Sequence, residues 1–296
     1  MEKLIVIVGP TGVGKTKLSI ELAKKYNGEI INYDSTQVYK GLDIATAKVT
    51  DEEKEGIIHH LIDIKELDEM YTVYDFKKDA TFLIEDIKKR GKTPILVGGT
   101  GLYITSLLYD YKMDEENIIQ MDSDKTNEEL FHMVKELDPN TSIHPNNRKR
   151  LIRYLSYYDK TGKKLNEKEL SNDMIYDAFV IGLTTDREIL YDRINKRVDI
   201  MLEYGLEEEA KSLYDKNIRT KAVMTPIGYK ELFEFYDGNI SKEEAIEKIK
   251  QKSRNYAKRQ YTWFKNKMNV KWFDVNFTNF NATVLEILEY INSNLD

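Results

Sequence analysis

Eight residues near the start of the chain carry its most specific chemistry. Gly9-Pro10-Thr11-Gly12-Val13-Gly14-Lys15-Thr16 fits the phosphate-loop pattern G-x-x-x-x-G-K-[ST]. In such a loop successive backbone N–H groups and a helix N-terminus converge on one anion. Lys15 then reaches the terminal phosphates, and the Thr16 hydroxyl takes part in holding a divalent metal. The flanks agree: the apolar run Leu4–Val8 precedes the loop, and an amphipathic stretch with Leu18, Leu22 and Ala23 follows it. A glycine-rich turn without a ligand is the bland alternative, but strand, loop and helix in this order favour a phosphate or diphosphate.

A nucleoside triphosphatase with this loop normally ends a second strand in an Asp that helps hold the metal. Here the strand candidate Thr93-Pro94-Ile95-Leu96-Val97 runs into Gly98-Gly99-Thr100-Gly101, without a carboxylate. Another candidate, Glu29-Ile30-Ile31-Asn32-Tyr33, does run into an acid, Asp34, followed by Ser35-Thr36-Gln37. An anion that serves as leaving group or handle suits this arrangement better than an ATP γ-phosphate.

The elements that must position these groups alternate. Strands are expected at 3–8, 29–34, 58–64 and 93–97, with helices at 16–26, 72–90 and 101–108. Continuous apolar strands in βα units imply an α/β fold: a P-loop NTPase-like parallel sheet with helices on both faces. Ligands then bind at the carboxyl ends of the strands, where residues 9, 34 and 100 meet. From about 110 the pattern changes to polar residues and helical pieces at 127–137 and 146–160, until a strand at 178–183 returns to the sheet. The expected organisation is a catalytic core of 1–109 and 176–296 with an inserted helical lobe, 110–175. One long helix at 186–214, helices near 228–236 and 241–267, a last strand at 270–273 and a closing helix at 282–294 complete it.

With 296 residues, 41% of them hydrophobic and 32% charged, the chain can bury one substantial core and a second small one. No apolar run is long enough to cross a bilayer, so no membrane association is expected. Zero Cys excludes disulfides, a thiolate zinc site and a cysteine nucleophile, in keeping with a cytoplasmic location. His59, His60, His132 and His144 lack metal-ligand spacing. The net charge of −6 speaks weakly against nucleic acid, yet two acid-free basic stretches stand out: Arg148 to Arg153, and Lys252 to Lys267. The second is interleaved with Tyr256, Tyr261, Trp263 and Phe264, as a phosphate-backbone footprint would be. Ile246, Ile249, Tyr256, Ala257, Trp263 and Phe264 make the apolar stripe of that helix; Gln260 falls inside it and needs partners there, a loop carbonyl or a substrate.

Further stretches add to these: Asp34-Ser35-Thr36-Gln37-Val38-Tyr39-Lys40-Gly41-Leu42-Asp43-Ile44-Ala45-Thr46-Ala47-Lys48, His59-His60-Leu61-Ile62-Asp63, Leu96-Val97-Gly98-Gly99-Thr100-Gly101-Leu102-Tyr103, His144-Pro145-Asn146-Asn147, Ile227-Gly228-Tyr229 and Ala257-Lys258-Arg259-Gln260-Tyr261-Thr262-Trp263-Phe264. In this order, over nearly the whole chain, they resemble the bacterial tRNA dimethylallyltransferases (tRNA isopentenyltransferases). The resemblance implies transfer of a dimethylallyl group from dimethylallyl diphosphate to N6 of the adenosine adjacent to the tRNA anticodon, by a cytoplasmic monomer. It implies Mg²⁺ near Thr16 and a diphosphate on residues 9–16, with Lys15 stabilising the leaving group. Asp34 would be the general base and hydrogen-bond the adenine N6 amine of the tRNA, Thr100 would contact the tRNA and bridge the same site, and Ser35, Thr36 and Gln37 would read the flipped adenine. Lys149, Arg150, Leu151, Ile152 and Arg153, with Lys258, Arg259 and Gln260, would contact the anticodon stem-loop.

Two departures accompany the resemblance. Thr225 stands two residues before Ile227, where many members carry Arg, so Arg193 or Arg197 would supply that cation. The inserted lobe is also shorter than usual for the family. Three rival readings fit parts of the chain: an adenylate isopentenyltransferase acting on free AMP, ADP or ATP, a small-molecule P-loop kinase, and a non-catalytic RNA-binding protein. The basic runs weigh against the first, the missing strand-end Asp against the second, and intact Lys15, Thr16 and Asp34 against the third.

Overall fold

The computed structural model describes residues 3–109, 124–164 and 174–295. The ends of the expected lobe, 110–123 and 165–173, lie outside them. The chain divides into two compact units, residues 1–110 with 174–296, and residues 111–173.

The first unit opens with β1 (Leu4–Val8), α1 (Lys15–Tyr26), β2 (Gly28–Asn32), α2 (Asp51–Lys54), β3 (His59–His60), α3 (Val73–Lys89), β4 (Thr93–Val97) and α4 (Gly101–Leu108). The second unit holds α5 (Asn127–Leu137) and α6 (Arg148–Thr161). The first resumes with β5 (Ala178–Thr184), α7 (Arg187–Glu203), α8 (Leu206–Asp215), α9 (Lys221–Met224), α10 (Tyr229–Tyr236), α11 (Lys242–Lys267), β6 (Lys271–Asp274) and α12 (Phe280–Asn292).

Among the described residues the sheet has six strands in the order β3-β2-β4-β1-β5-β6, and every pairing is parallel. Register is set by apolar partners such as Ile5 with Ile95 and Ile7 with Ile181. β1 and β4 are buried at every residue, which requires cover on both sheet faces and explains why they read as unbroken apolar runs. The main core joins Ile5, Ile7, Ile30, Ile95 and Ile181 to Leu18 and Leu22 of α1, Ile194 of α7 and Ile287 of α12. In the second unit Leu130 and Val134 of α5 pack with Leu151, Tyr154 and Leu155 of α6 around their own small core. No helix among the described residues is long and apolar enough to cross a membrane.

Three expectations change. The strand expected at 58–64 is only His59–His60, because Leu61 (φ 61°) and Asp63 (φ 55°) take left-handed backbone that ends an extended run. The single helix expected at 186–214 is two, α7 and α8, separated at Tyr204-Gly205, where Gly205 has φ 99°. The second strand stops at Asn32, whose side-chain carbonyl accepts the Asp34 N–H at 3.1 Å and turns the chain locally.

Candidate active site

The β1–α1 loop curls through left-handed backbone, with φ 81° at Gly12 and 102° at Gly14. Gly14 is the N-cap of α1, offers no side-chain cap, and is followed by no acid in the first turn. The N–H groups of that turn therefore have no side-chain cap and no neighbouring acid, the condition under which a helix N-terminus takes an anion. Lys15 Nζ arches over the loop and donates to Gly9 O (2.9 Å) and Pro10 O (2.8 Å). Its pKa is pushed down to about 7, by burial first and by Arg197 second, with Asp34 acting the other way.

Arg193 and Arg197, one turn apart on α7, close the loop from the side. Arg193 Nε donates to Gly12 O (3.2 Å), and its guanidinium lies 3.8 Å from the centre of the Phe277 ring. Arg197 donates to Thr11 Oγ1 (3.3 Å); burial lowers its pKa, with Glu53 and Asp34 opposing. Cations drawn together at such a cost bind a polyanion well, because its charge relieves both the repulsion and the desolvation.

Across the cleft Asp34 Oδ1 accepts from Thr36 N (3.0 Å) and Thr36 Oγ1 (2.7 Å), an Asx turn that fixes the carboxylate. Oδ2 accepts no hydrogen bond among the described residues and lies beside Gly99. A Cβ on Gly99 would sit 2.9 Å from Asp34 Oδ2, 2.6 Å from Gln260 Nε2 and 3.2 Å from the Tyr256 hydroxyl. Only glycine lets these three side chains converge on the end of β4.

The remaining predicted residues fall into three groups. Thr100 is the N-cap of α4 but makes no cap bond. Its Oγ1 instead accepts the Ser35 N–H (3.0 Å) and donates to Ser35 Oγ (3.1 Å), coupling the ends of β2 and β4. Gln37 turns inward and donates from Nε2 to Thr46 O (3.0 Å) and Ala47 O (3.2 Å). Gln260 is buried, accepts the Thr11 N–H (2.8 Å) and donates to Gly99 O (3.0 Å), so its amide staples the phosphate loop to the β4 loop. Lys258 and Arg259 are exposed on α11, with Arg259 5.6 Å from the centre of the Tyr256 ring.

In the second unit Lys149, Arg150 and Arg153 are exposed on α6. Leu151 is fully buried in that unit's core and Ile152 packs against it, so these two side chains turn into the unit and not outward with Lys149, Arg150 and Arg153. Tyr256, assigned from sequence to the apolar stripe, is a further member of the site: its hydroxyl donates to Gly99 O at 3.3 Å. Burial and Asp34 raise its pKa, so it stays protonated and donating.

Thr16 is exposed and its hydroxyl has no partner among the described residues, which frees it for a metal. Among those residues no three His, Cys, Asp or Glu cluster as a metal cage. That donor set suits Mg²⁺, which takes few protein ligands and completes its shell with phosphate and water oxygens.

A phosphate loop at the carboxyl end of the inner strand β1, in an all-parallel sheet, defines a P-loop α/β protein; its cleft carboxylate comes after β2. Residues 37–267 match the family model described as IPP transferase. The chain is 52% identical over 299 residues to the tRNA dimethylallyltransferase of Anoxybacillus flavithermus, covering 98% of this chain and 96% of that one. Among solved structures, the tRNA isopentenylpyrophosphate transferase of Bacillus halodurans has a TM-score of 0.77 at 46% identity, covering 99% of this chain and 96% of that one. A eukaryotic dimethylallyltransferase acting on tRNA has a TM-score of 0.85 at 33% identity, covering 100% of this chain and 79% of that one. The chain belongs to the IPP transferase family.

Proposed function

We propose that this protein transfers a dimethylallyl group from dimethylallyl diphosphate to N6 of the adenosine adjacent to a tRNA anticodon. The observation that carries this is the placement of Asp34: its carboxylate, fixed by Thr36, stands beside Gly99, which Gln260 ties to the phosphate loop. A base and a diphosphate cradle thus share one cleft.

The adenine N6 lone pair is delocalised into the ring, so attack needs both a good leaving group and a proton acceptor. N6 attacks C1 of the donor, the C1–O bond breaks, and the electron pair leaves on diphosphate. Asp34 Oδ2 takes the N6 proton. The loop amides and Lys15, with Arg193 and Arg197 beside the loop, hold the charge that develops on the leaving group. Mg²⁺ held by Thr16 would neutralise further diphosphate charge. Tyr256 and Thr100 flank the carboxylate and close its polar wall. Arg193 and Arg197, bonded to the phosphate loop, would supply the cation that a chain with Thr225 in place of the usual Arg lacks. An anticodon loop is already single-stranded, so presenting its base costs less than flipping one from a duplex. Lys258, Arg259, Lys149, Arg150 and Arg153 are candidates to hold the RNA backbone.

The test is transfer of radiolabel from dimethylallyl diphosphate, with Mg²⁺, to unmodified tRNA and to AMP in separate tubes. Label in tRNA alone is expected. Label in AMP alone would make the free nucleotide the acceptor, and label in neither would overturn the proposal.

A further inference from the structure

The segment after Asp34 is held in place by a carboxylate from far along the chain. Glu209, on α8, accepts three consecutive backbone N–H groups: Asp43 and Ile44 on Oε2 (2.9 Å each) and Ala45 on Oε1 (3.1 Å). Tyr229, fully buried at the start of α10, donates its hydroxyl to the same Oε1 at 2.6 Å. Consecutive amides around one anion form a nest, and charge-assisted bonds of this kind are about twice as strong as neutral ones. Burial and Glu209 together raise the Tyr229 pKa, so the phenol remains a donor.

The restraint passes along the chain toward the catalytic carboxylate. Thr46 and Ala47, directly after the clamped residues, offer their carbonyls to Gln37 Nε2, and Ala47 itself sits at φ 49°. Gln37 in turn follows the Asp34–Thr36 turn. Hydrogen bonds and the chain itself thus link Glu209 through the 43–47 backbone to Gln37, which directly follows the Asp34–Thr36 turn. Neither Glu209 nor Tyr229 bonds to the phosphate loop.

We propose that Glu209, buttressed by Tyr229, is a positioning residue that fixes the adenine-facing loop, so that it governs use of the RNA and not binding of the donor. This rests on the reading that Asp34 and the residues after it face the target adenine.

The experiment measures kcat/KM for tRNA, normalised to sites that bind dimethylallyl diphosphate by calorimetry, in Glu209→Ala, Glu209→Gln, Tyr229→Phe and the double variant. Glu209→Ala should lose about 30-fold or more in kcat/KM for tRNA, the scale of several lost bonds to a charged group, with unchanged donor affinity. Glu209→Gln should recover much of this. Its carbonyl can keep the Asp43 and Ile44 N–H groups while its NH₂ donates to Tyr229, whose hydroxyl turns to accept. Adding Tyr229→Phe should then remove that recovery, giving a non-additive pair.

Wild-type kcat/KM per donor-binding site in Glu209→Ala, or donor affinity falling in step with it, would overturn the positioning role. If Glu209→Ala does not fold, the Gln and Phe variants decide on the same criteria. Asp34→Ala in the same assay separates the two levels. Full activity there would sink the reading of the site itself, whereas an inactive Asp34→Ala beside a normal Glu209→Ala would sink only the positioning role.

Discussion

Asp34 has one oxygen committed to Thr36 and the other turned to the cleft, so its removal takes away a proton acceptor and leaves the phosphate loop intact. Asp34→Ala should lower kcat by about 10²- to 10⁴-fold, the usual worth of a general base, with donor and tRNA affinities unchanged. Equal loss of tRNA binding, read by filter binding, would assign Asp34 a structural part instead. Lys15→Ala should raise the donor KM by about 10- to 100-fold, since a hydrogen bond to a charged group contributes about 1.5–3 kcal/mol; an unchanged donor KM would remove Lys15 from the diphosphate site. That Asp34 and Thr100 stand just past strand ends and Lys15 at the start of α1 was legible from sequence, because each lies in a motif with few alternatives. Glu209 was not: a run of three glutamates reads as a solvated face, and only its place three residues after the buried Leu206 hints otherwise. Tyr256 was missed as a polar participant because its ring fits an apolar stripe, and the stripe does not say where the hydroxyl goes.

At the level of elements, α11 reaches the site through the Tyr256 hydroxyl and one buried amide, Gln260. Gln260→Ala would leave the Thr11 N–H and the Gly99 carbonyl without that partner, and should cost about 2 kcal/mol in denaturant unfolding. Donor affinity should weaken as well, because Thr11 belongs to the phosphate loop. Loss of stability with donor binding untouched would show that the staple does not order that loop. The strands β1 and β4 and the helices α3, α4 and α5 were legible because burial on both faces, or on one face at helical spacing, leaves a periodic trace. The break at Gly205 and the early end of β3 were not. Both depend on single residues in left-handed backbone, Gly205, Leu61 and Asp63, and hydrophobic periodicity is blind to these.

Over the whole molecule, the cleft at the carboxyl ends of the strands is balanced by an ionic network at the start of β2. Glu29 is 1% exposed; it accepts from both terminal nitrogens of the Arg90 guanidinium, from Lys92 Nζ (2.7 Å), and pairs with His60 Nε2 (2.7 Å). Arg90 above all, then Lys92 and His60, hold its carboxyl well below the usual range against the opposing effect of burial. A depressed folded-state pKa adds stability above the unfolded-state value of about 4.3, and this is lost as pH falls toward the folded-state one. Glu29→Gln should therefore cost about 3 kcal/mol near neutrality, as for other buried pairs broken on one side. Thermal melts of the two proteins should converge as pH drops below about 5. A gap that stays constant with pH would mean the charge is not what matters.

The account as a whole stands on where the dimethylallyl group ends up. The most direct measurement is mass spectrometry of tRNA digested after incubation with dimethylallyl diphosphate, together with the diphosphate released. The prediction is one dimethylallyl group on N6 of the adenosine adjacent to the anticodon, with one diphosphate set free for each modified nucleoside. Diphosphate release without a modified adenosine, or a group attached to another base, would contradict it.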